Sequence, residues 1–312
     1  MGSLGITPPL CQGAHPRARC FRVRRYRRAA ILFVHVGRGR QKPCVGRAPP
    51  ESLGDSLPAQ RSTRLVRRVD ACRRLARSGR TIIGVPVRTV IDRGPKGKRA
   101  VAFALDWPGW SRGAKTSEVA VETLGSYRER YRPVAALAGM AVEFDAAGPL
   151  EIVEEKVGTG STDFWGISFS PSSTELDPMN EAQLEHGTTL LRACWAFFDA
   201  VAARVSPEMR KGPRGGGRQR DEIIRHVMRV ESLDFAKQVG LQMPDDPTLS
   251  GEALRQYRED YVAGIRAYNA GQIERRMRSW SLPFLIRHSA FHTLDHAWEM
   301  EDKDLSAEQS VT

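Results

Sequence analysis

The stretch Leu282 to Asp304, LPFLIRHSAFHTLDHAWEMEDKD, places His288, His292 and His296 four residues apart. On a helix that spacing stacks the three imidazoles along one face, each about 6 Å from the next. Either neighbouring pair can grip one cation. The outer two cannot, because roughly 12 Å of helix rise separates them and a metal–nitrogen bond is only about 2 Å. The helix therefore offers two ligands, and a third must come from elsewhere. Spacing alone does not choose between the two pairs.

Of the other four histidines, His226 sits on a second amphipathic segment, with Ile223 three residues before it and Val230 four after. Its imidazole is expected to face the apolar seam. A lone histidine there reads as a hydrogen-bonded core residue, but three inward histidines are costly to bury unless something binds them, so a metal ligand and a core residue both stay open for His226.

Around this stretch the C-terminal half reads as four helices. Asp177-Pro178 opens the first with an N-cap and a first-turn proline, and Leu184, Leu191, Trp195, Phe198 and Val205 mark its apolar stripe. The Gly-rich loop Pro207 to Arg220 ends it and feeds a second helix, Asp221 to about Val239. Glu252 to Ala270 supplies a third, stopped at Gly271, and Ser281 with Pro283 caps the fourth. Helices joined by short to medium connections make a bundle the economical arrangement.

Before them, TIIGVPVRTVIDR and RAVAFALDW read as a hairpin turned at Gly94-Pro95-Lys96-Gly97. A polar loop, Pro108 to Ala114, leads to Thr116 or Ser117 as N-cap of a helix through Leu137, and PLEIVEEK gives another strand. The fold class expected is α+β, a small β-β-α-β module followed by an antiparallel four-helix bundle. The module spans residues 81–170 and the bundle 177–306. Trp107 and Trp110 read as packing residues rather than a recognition platform.

The net charge of +12 resembles that of a nucleic-acid binder until its distribution is followed. Met1 to Arg80 holds 19 Lys and Arg against 3 Asp and Glu, so the remaining 232 residues carry a net charge of −4. Residues 1–80 are expected to be an Arg-rich tail outside the fold, disordered or spurious upstream translation. Nucleic acid would be a partner only if that tail were a real arm. Arg24 to Arg28 precede the apolar run Ala29 to Val36, but the run is short and contains His35, so no export signal is read. Four of the five cysteines lie in the tail, with no Cys-x-x-Cys pair, so a cytoplasmic location and no thiolate metal site are expected. No apolar run approaches membrane-spanning length.

The second-helix segment RDEIIRHVMRVE and the fourth-helix segment FHTLDHAWE resemble the DinB-like bundle superfamily, which includes thiol-dependent transferases and isomerases of the YfiT type. The resemblance covers roughly Asp177 to Ser306. It implies that His226, His292 and His296 bind a divalent metal, zinc or nickel foremost, and so selects the second of the two pairs. It also implies a low-molecular-weight thiol as cosubstrate, of mycothiol type by the Arg/Ala/Gly-rich composition, and a small electrophile as its partner in reaction. Many members follow the last pair with a Gly-Gln turn; here Ala297-Trp298-Glu299 follows. A shorter stretch, Phe103 to Leu124, resembles the N-terminal fold of HicB-type antitoxins. A non-catalytic, metal-containing binding protein is therefore the alternative expectation, and a homodimer stays open.

Three neutral imidazoles leave a coordination position free, the arrangement of a catalytic site. Glu299 lies beside the pair as a group to orient an imidazole or act as base, with Asp295 in the same region on a more solvated arc. His288, one turn earlier, is a candidate acid or base on the substrate side, or else a helix-surface residue. In Lys211 to Arg218, glycine backbone with Arg214 and Arg218 could hold an anion or cosubstrate at the start of the second helix. His186 and Cys194 read as structural.

Overall fold

The two central strands come together because their β-branched and small residues can be buried on both sides. Strand β1 (Val87–Arg93) buries all but its two arginines, and β2 (Ala100–Ala104) is buried throughout. They pair antiparallel, Thr89 opposite Ala104 through Arg93 opposite Ala100, around the expected turn, where Gly97 has φ 64°. The computed structural model describes residues 84–212, 216–243, 249–273 and 280–306. The Arg-rich tail and Arg214 lie outside the described residues.

The polar loop expected at Pro108 to Ala114 is in part a third strand, β3 (Ser111–Ala114), antiparallel to β2. Trp107 to Trp110 make the reversal: the Trp110 N–H donates to Trp107 O at 3.1 Å, and the Ala104 N–H donates to Trp110 O at 3.0 Å. Gly109, at φ 94°, lets this turn approach the last helix so closely that a Cβ would lie 2.8 Å from Leu294 Cδ1. Strand β4 (Leu150–Val157) joins the other edge parallel to β1, with Val153 as an extra residue between the pairs Thr89–Ile152 and Val90–Glu154. The sheet order is β3-β2-β1-β4.

Between β3 and β4 the single helix expected is three. Thr116 caps α1 (Ser117–Ser126), α2 runs Arg128–Leu137 and α3 Ala141–Asp145. The break at Tyr127 is held from outside: Trp110 Nε1 donates to Leu124 O at 2.8 Å, and Arg128 donates to the carbonyls of Phe144, Ala147 and Gly148. Trp107, Trp110, Tyr131 and Phe144 form one ring cluster inside the core, so the two tryptophans are packing residues. After β4 come the short helix α4 (Gly160–Trp165) and a single 3-10 turn, Thr174–Leu176.

Helix α5 (Glu181–Arg204) starts later than Asp177-Pro178 suggests, because Asn180 and Gln183 cap each other reciprocally at 3.0 and 2.9 Å. Helix α6 (Arg220–Val230) stops nine residues short of Val239 and continues as a π turn, Glu231–Phe235, and a 3-10 turn, Ala236–Val239. The buried Glu231 accepts a bond from Trp195 Nε1 of α5, a tertiary contact that the sequence of α6 does not contain. Helices α7 (Gly251–Asn269) and α8 (Leu282–Lys303) fall where expected.

Ion pairs Arg192–Glu259, Arg258–Asp199 and Arg266–Glu181 stitch α5 to α7, and Tyr261 OH meets Ser289 Oγ of α8 at 2.9 Å. The described residues share one main core, in which Trp110, Tyr131 and Leu124 from the sheet side join Leu190, Leu191, Leu294 and Trp298 from the helices. On the opposite sheet face Phe103 lies under the Arg287 guanidinium at 3.8 Å. The architecture is thus mixed α+β, with a four-stranded mixed sheet and a helical layer. Among the described residues no helix is long and apolar enough to cross a membrane.

Candidate metal centre

Helix α8 presents His292 and His296 one turn apart, and α6 brings His226 against them. Ile223 and Val227, both buried, anchor the inner face of α6, so the neighbouring His226 is carried to the seam. The three ring centroids are 5.2 Å (His226–His292), 4.9 Å (His226–His296) and 4.7 Å (His292–His296) apart. One ring nitrogen from each lies within 4.8 Å of the others. Tetrahedral ligation at about 2.05 Å puts nitrogens roughly 3.3 Å apart. The widest pair therefore stands at most about 1.5 Å beyond the spacing of a closed tetrahedral set.

The protonation states suit ligation. Burial, then the neighbouring His296 and the charges of Arg218 and Arg229, press the His226 imidazole down to about 4, against the opposing pull of Glu299. Burial and the adjoining imidazoles hold His292 well below the ordinary histidine value. Both are neutral at pH 7 and carry free lone pairs. The His292 Nδ1 is buried with no hydrogen-bond partner among the described residues, an unmet group that a cation would satisfy.

Glu299 supplies the orienting contact. Its Oε2 lies 2.7 Å from His296 Nδ1, and its Oε1 accepts from Lys303 Nζ. The bond to His296, with that to Lys303, holds the carboxyl at about 2 although burial works the other way. An ionised carboxylate only accepts, so Nδ1 of His296 carries the proton and Nε2 is left as the ligand atom. The residues present therefore fit a divalent cation: three imidazoles, one tautomer fixed by a carboxylate, and that carboxylate balanced by a lysine.

The other residues named from the sequence are placed elsewhere. His288 is buried a turn before His292, enclosed by aromatic rings, and outside the ligand cluster. Arg218 is exposed, with its charge felt at His226 and His292. Asp295 turns away from the triad to meet Arg112 Nη1 at 2.7 Å. The Arg112 guanidinium in turn lies 3.8 Å over the Tyr127 ring and 4.2 Å over the Trp298 ring. His186 meets Asp106 O at 2.7 Å, and Cys194 is buried, its thiol pushed up by burial. Sequence reasoning missed Lys303, which its place four residues after Glu299 could have flagged. It also missed Phe235, 5.6 Å from His292, which only the π turn aims at the site.

Fold and site together define an α+β protein with a three-histidine cluster between two helices. The chain matches no protein-family model, no curated protein and no solved structure.

Proposed function

We propose that α5 to α8 form a DinB-like antiparallel four-helix bundle and that the chain is a divalent-metal-dependent enzyme transferring a low-molecular-weight thiol, of mycothiol type, to a small electrophile. The observation that carries this reading is the convergence of His226, His292 and His296 with Glu299 fixing the tautomer of His296. Zinc or nickel suits three imidazole nitrogens. Bound there, the cation would supply positive charge that favours the thiolate over the thiol, or hydroxide over water.

The chain's own residues do the rest. Glu299, engaged on both oxygens, is a positioning residue that holds the His296 ring in register. Burial keeps His226 and His292 unprotonated. Arg218 is an exposed cation whose charge reaches His226 and His292, and it would draw an anionic group of the cosubstrate. A reducing cytoplasm, in which such a thiol stays reduced, is the fitting location.

The test is turnover. Full-length protein loaded with zinc or with nickel is offered low-molecular-weight thiols and a panel of electrophiles, and thioether formation is followed by mass spectrometry. Metal-dependent product that disappears in His292→Ala supports the enzyme. Stoichiometric metal without product on any electrophile would point instead to a metal-containing binding protein.

A further inference from the structure

Two large rings stand in solvent at the end of α4. Phe164 is 69% exposed and Trp165 63%, and they meet edge to face at 4.5 Å with their planes 80° apart. Of the six tryptophans, Trp107, Trp110, Trp195 and Trp298 are buried and Trp280 is half-buried, so Trp165 is the one offered to solvent. Their mount is fixed. Asp163 accepts from the Lys96 main-chain N–H at 2.7 Å and from that of Lys98 at 2.8 Å, which ties α4 to the turn between β1 and β2. Gly94 permits that seat, since a Cβ there would lie 2.1 Å from Asp163 Oδ1. Thr162 Oγ1 donates to the buried Asp92 at 3.2 Å, and Gly166, at φ 70°, ends the helix straight after Trp165.

The turn to which α4 is tied is basic. Lys96, Lys98 and Arg99 are exposed, and Arg99 Nη1 lies 3.2 Å from where a Cβ on Gly166 would stand. None of the three forms an ion pair among the described residues, although Asp163 feels the Lys98 charge. With Asp163 counted, they leave a net charge of +2. Val157, paired with Arg93 in the register of β4 on β1, is 66% exposed and adds a third apolar side chain. The neighbouring Glu155 is met by Arg93 at 3.8 Å. Glu154 and Glu151 lie roughly 10 and 20 Å back along β4 from Val157, beyond the screening length of about 8 Å at physiological salt.

We propose that this surface docks on an anionic lipid bilayer, with Phe164 and Trp165 entering at the level of the headgroups and upper acyl chains while Lys96, Lys98 and Arg99 meet the anionic headgroups. Charge complementarity makes the partner anionic, and apolar side chains beside cations are what a peripheral protein needs to hold such a surface. No spanning helix is required. A single-stranded nucleic acid is the other polyanion with a use for aromatic rings, but successive bases stack on faces that line up. Here the two rings cross at 80° beside an aliphatic valine, an arrangement that lipid accepts and a run of bases does not.

Fluorescence quenching tests the proposal on the full chain. Vesicles are made of phosphatidylcholine alone or mixed in equal parts with phosphatidylserine, in both cases with brominated acyl chains, which quench only tryptophans that reach them. Residues 1–80 are Arg-rich and hold no tryptophan, so attraction of that segment to anionic vesicles is silent in this readout. Quenching is expected with the mixed vesicles, is weak with phosphatidylcholine alone, and is absent in Trp165→Phe. The double variant Lys96→Gln, Lys98→Gln keeps the main-chain bonds to Asp163. It is expected to lower the ratio of quenched to unquenched Trp165 at fixed lipid by about 25-fold, at roughly fivefold per cation. Phe164→Ser should also lower that ratio. No quenching by the mixed vesicles, quenching that survives in Trp165→Phe, or a ratio unchanged in the lysine variant would each overturn the proposal. So would quenching of Trp165 by a single-stranded oligonucleotide with none by brominated vesicles, which would assign the surface to nucleic acid instead.

Discussion

His296 Nδ1 donates to Glu299 Oε2 across 2.7 Å, and this one bond decides which nitrogen of His296 is left for a cation. The carboxylate is itself held by Lys303, so the arrangement is a relay along one face of α8. Replacing Glu299 by Gln removes the charge and lets the amide present either an N–H or an oxygen to the ring. Zinc affinity is expected to fall by about 10- to 100-fold, the usual effect of losing an orienting carboxylate. Competition against a chromophoric chelator measures it; an unchanged affinity would remove Glu299 from the site.

Glu231 contributes stability that falls as pH rises. Burial raises its carboxyl to about 7 from an ordinary 4.5, against the pull of Arg258 and the bond from Trp195. Between those two values the native chain keeps a proton that the unfolded chain has released. The contribution is therefore fully present below pH 4.5 and is lost as pH climbs through about 7, amounting to roughly 3 kcal/mol. The depressed His226, His288 and His292 imidazoles push wild type the other way between pH 5 and about 6.5. The decline is therefore read as the difference between wild type and Glu231→Gln, whose amide oxygen can still accept from Trp195, in urea denaturation at pH 5 and pH 8.

Arg287 and Glu175 form an ion pair in which both side chains are 4% exposed, tying the 3-10 turn before α5 to α8. Arg287 also donates to Ser170 O at 3.3 Å. Glu175→Ala leaves a buried guanidinium unpaired and is expected to cost about 3–5 kcal/mol. The double variant Arg287→Met, Glu175→Leu should recover only part of that loss: two apolar groups need no partner, but the buried Ser172 N–H loses Glu175 Oε2 as its acceptor. A double-mutant cycle by denaturant unfolding checks both values.

How far the sequence was legible follows the range of the forces involved. The α8 stretch was readable because its signals are local: a serine and a proline at the start, and histidines at helical spacing. His226 was readable because its own helix is amphipathic. Strand β3 was not, since SRGA has no strand-like alternation and forms because β2 has a free edge to pair with. The end of α6 was hidden for a similar reason, as the π turn answers to Trp195 on another helix. The cap of α5 was misplaced because Asp177-Pro178 and Asn180-x-x-Gln183 are both acceptable starts, and only the second completes two hydrogen bonds. His288 could be picked out as a histidine of interest, but its ring shell draws on segments more than a hundred residues apart and has no trace in local pattern.

The central claim, that His226, His292 and His296 together hold one divalent cation, meets its most direct test in the metal content of the purified full chain. Inductively coupled plasma mass spectrometry is applied to wild type, His226→Ala and His292→Ala, each before and after reconstitution with zinc or nickel. The account predicts one equivalent per chain in wild type and less than a tenth of that in either variant, given the roughly hundredfold or greater loss of affinity expected when a ligand is removed. Wild type that holds no stoichiometric metal and gains none on reconstitution would contradict it.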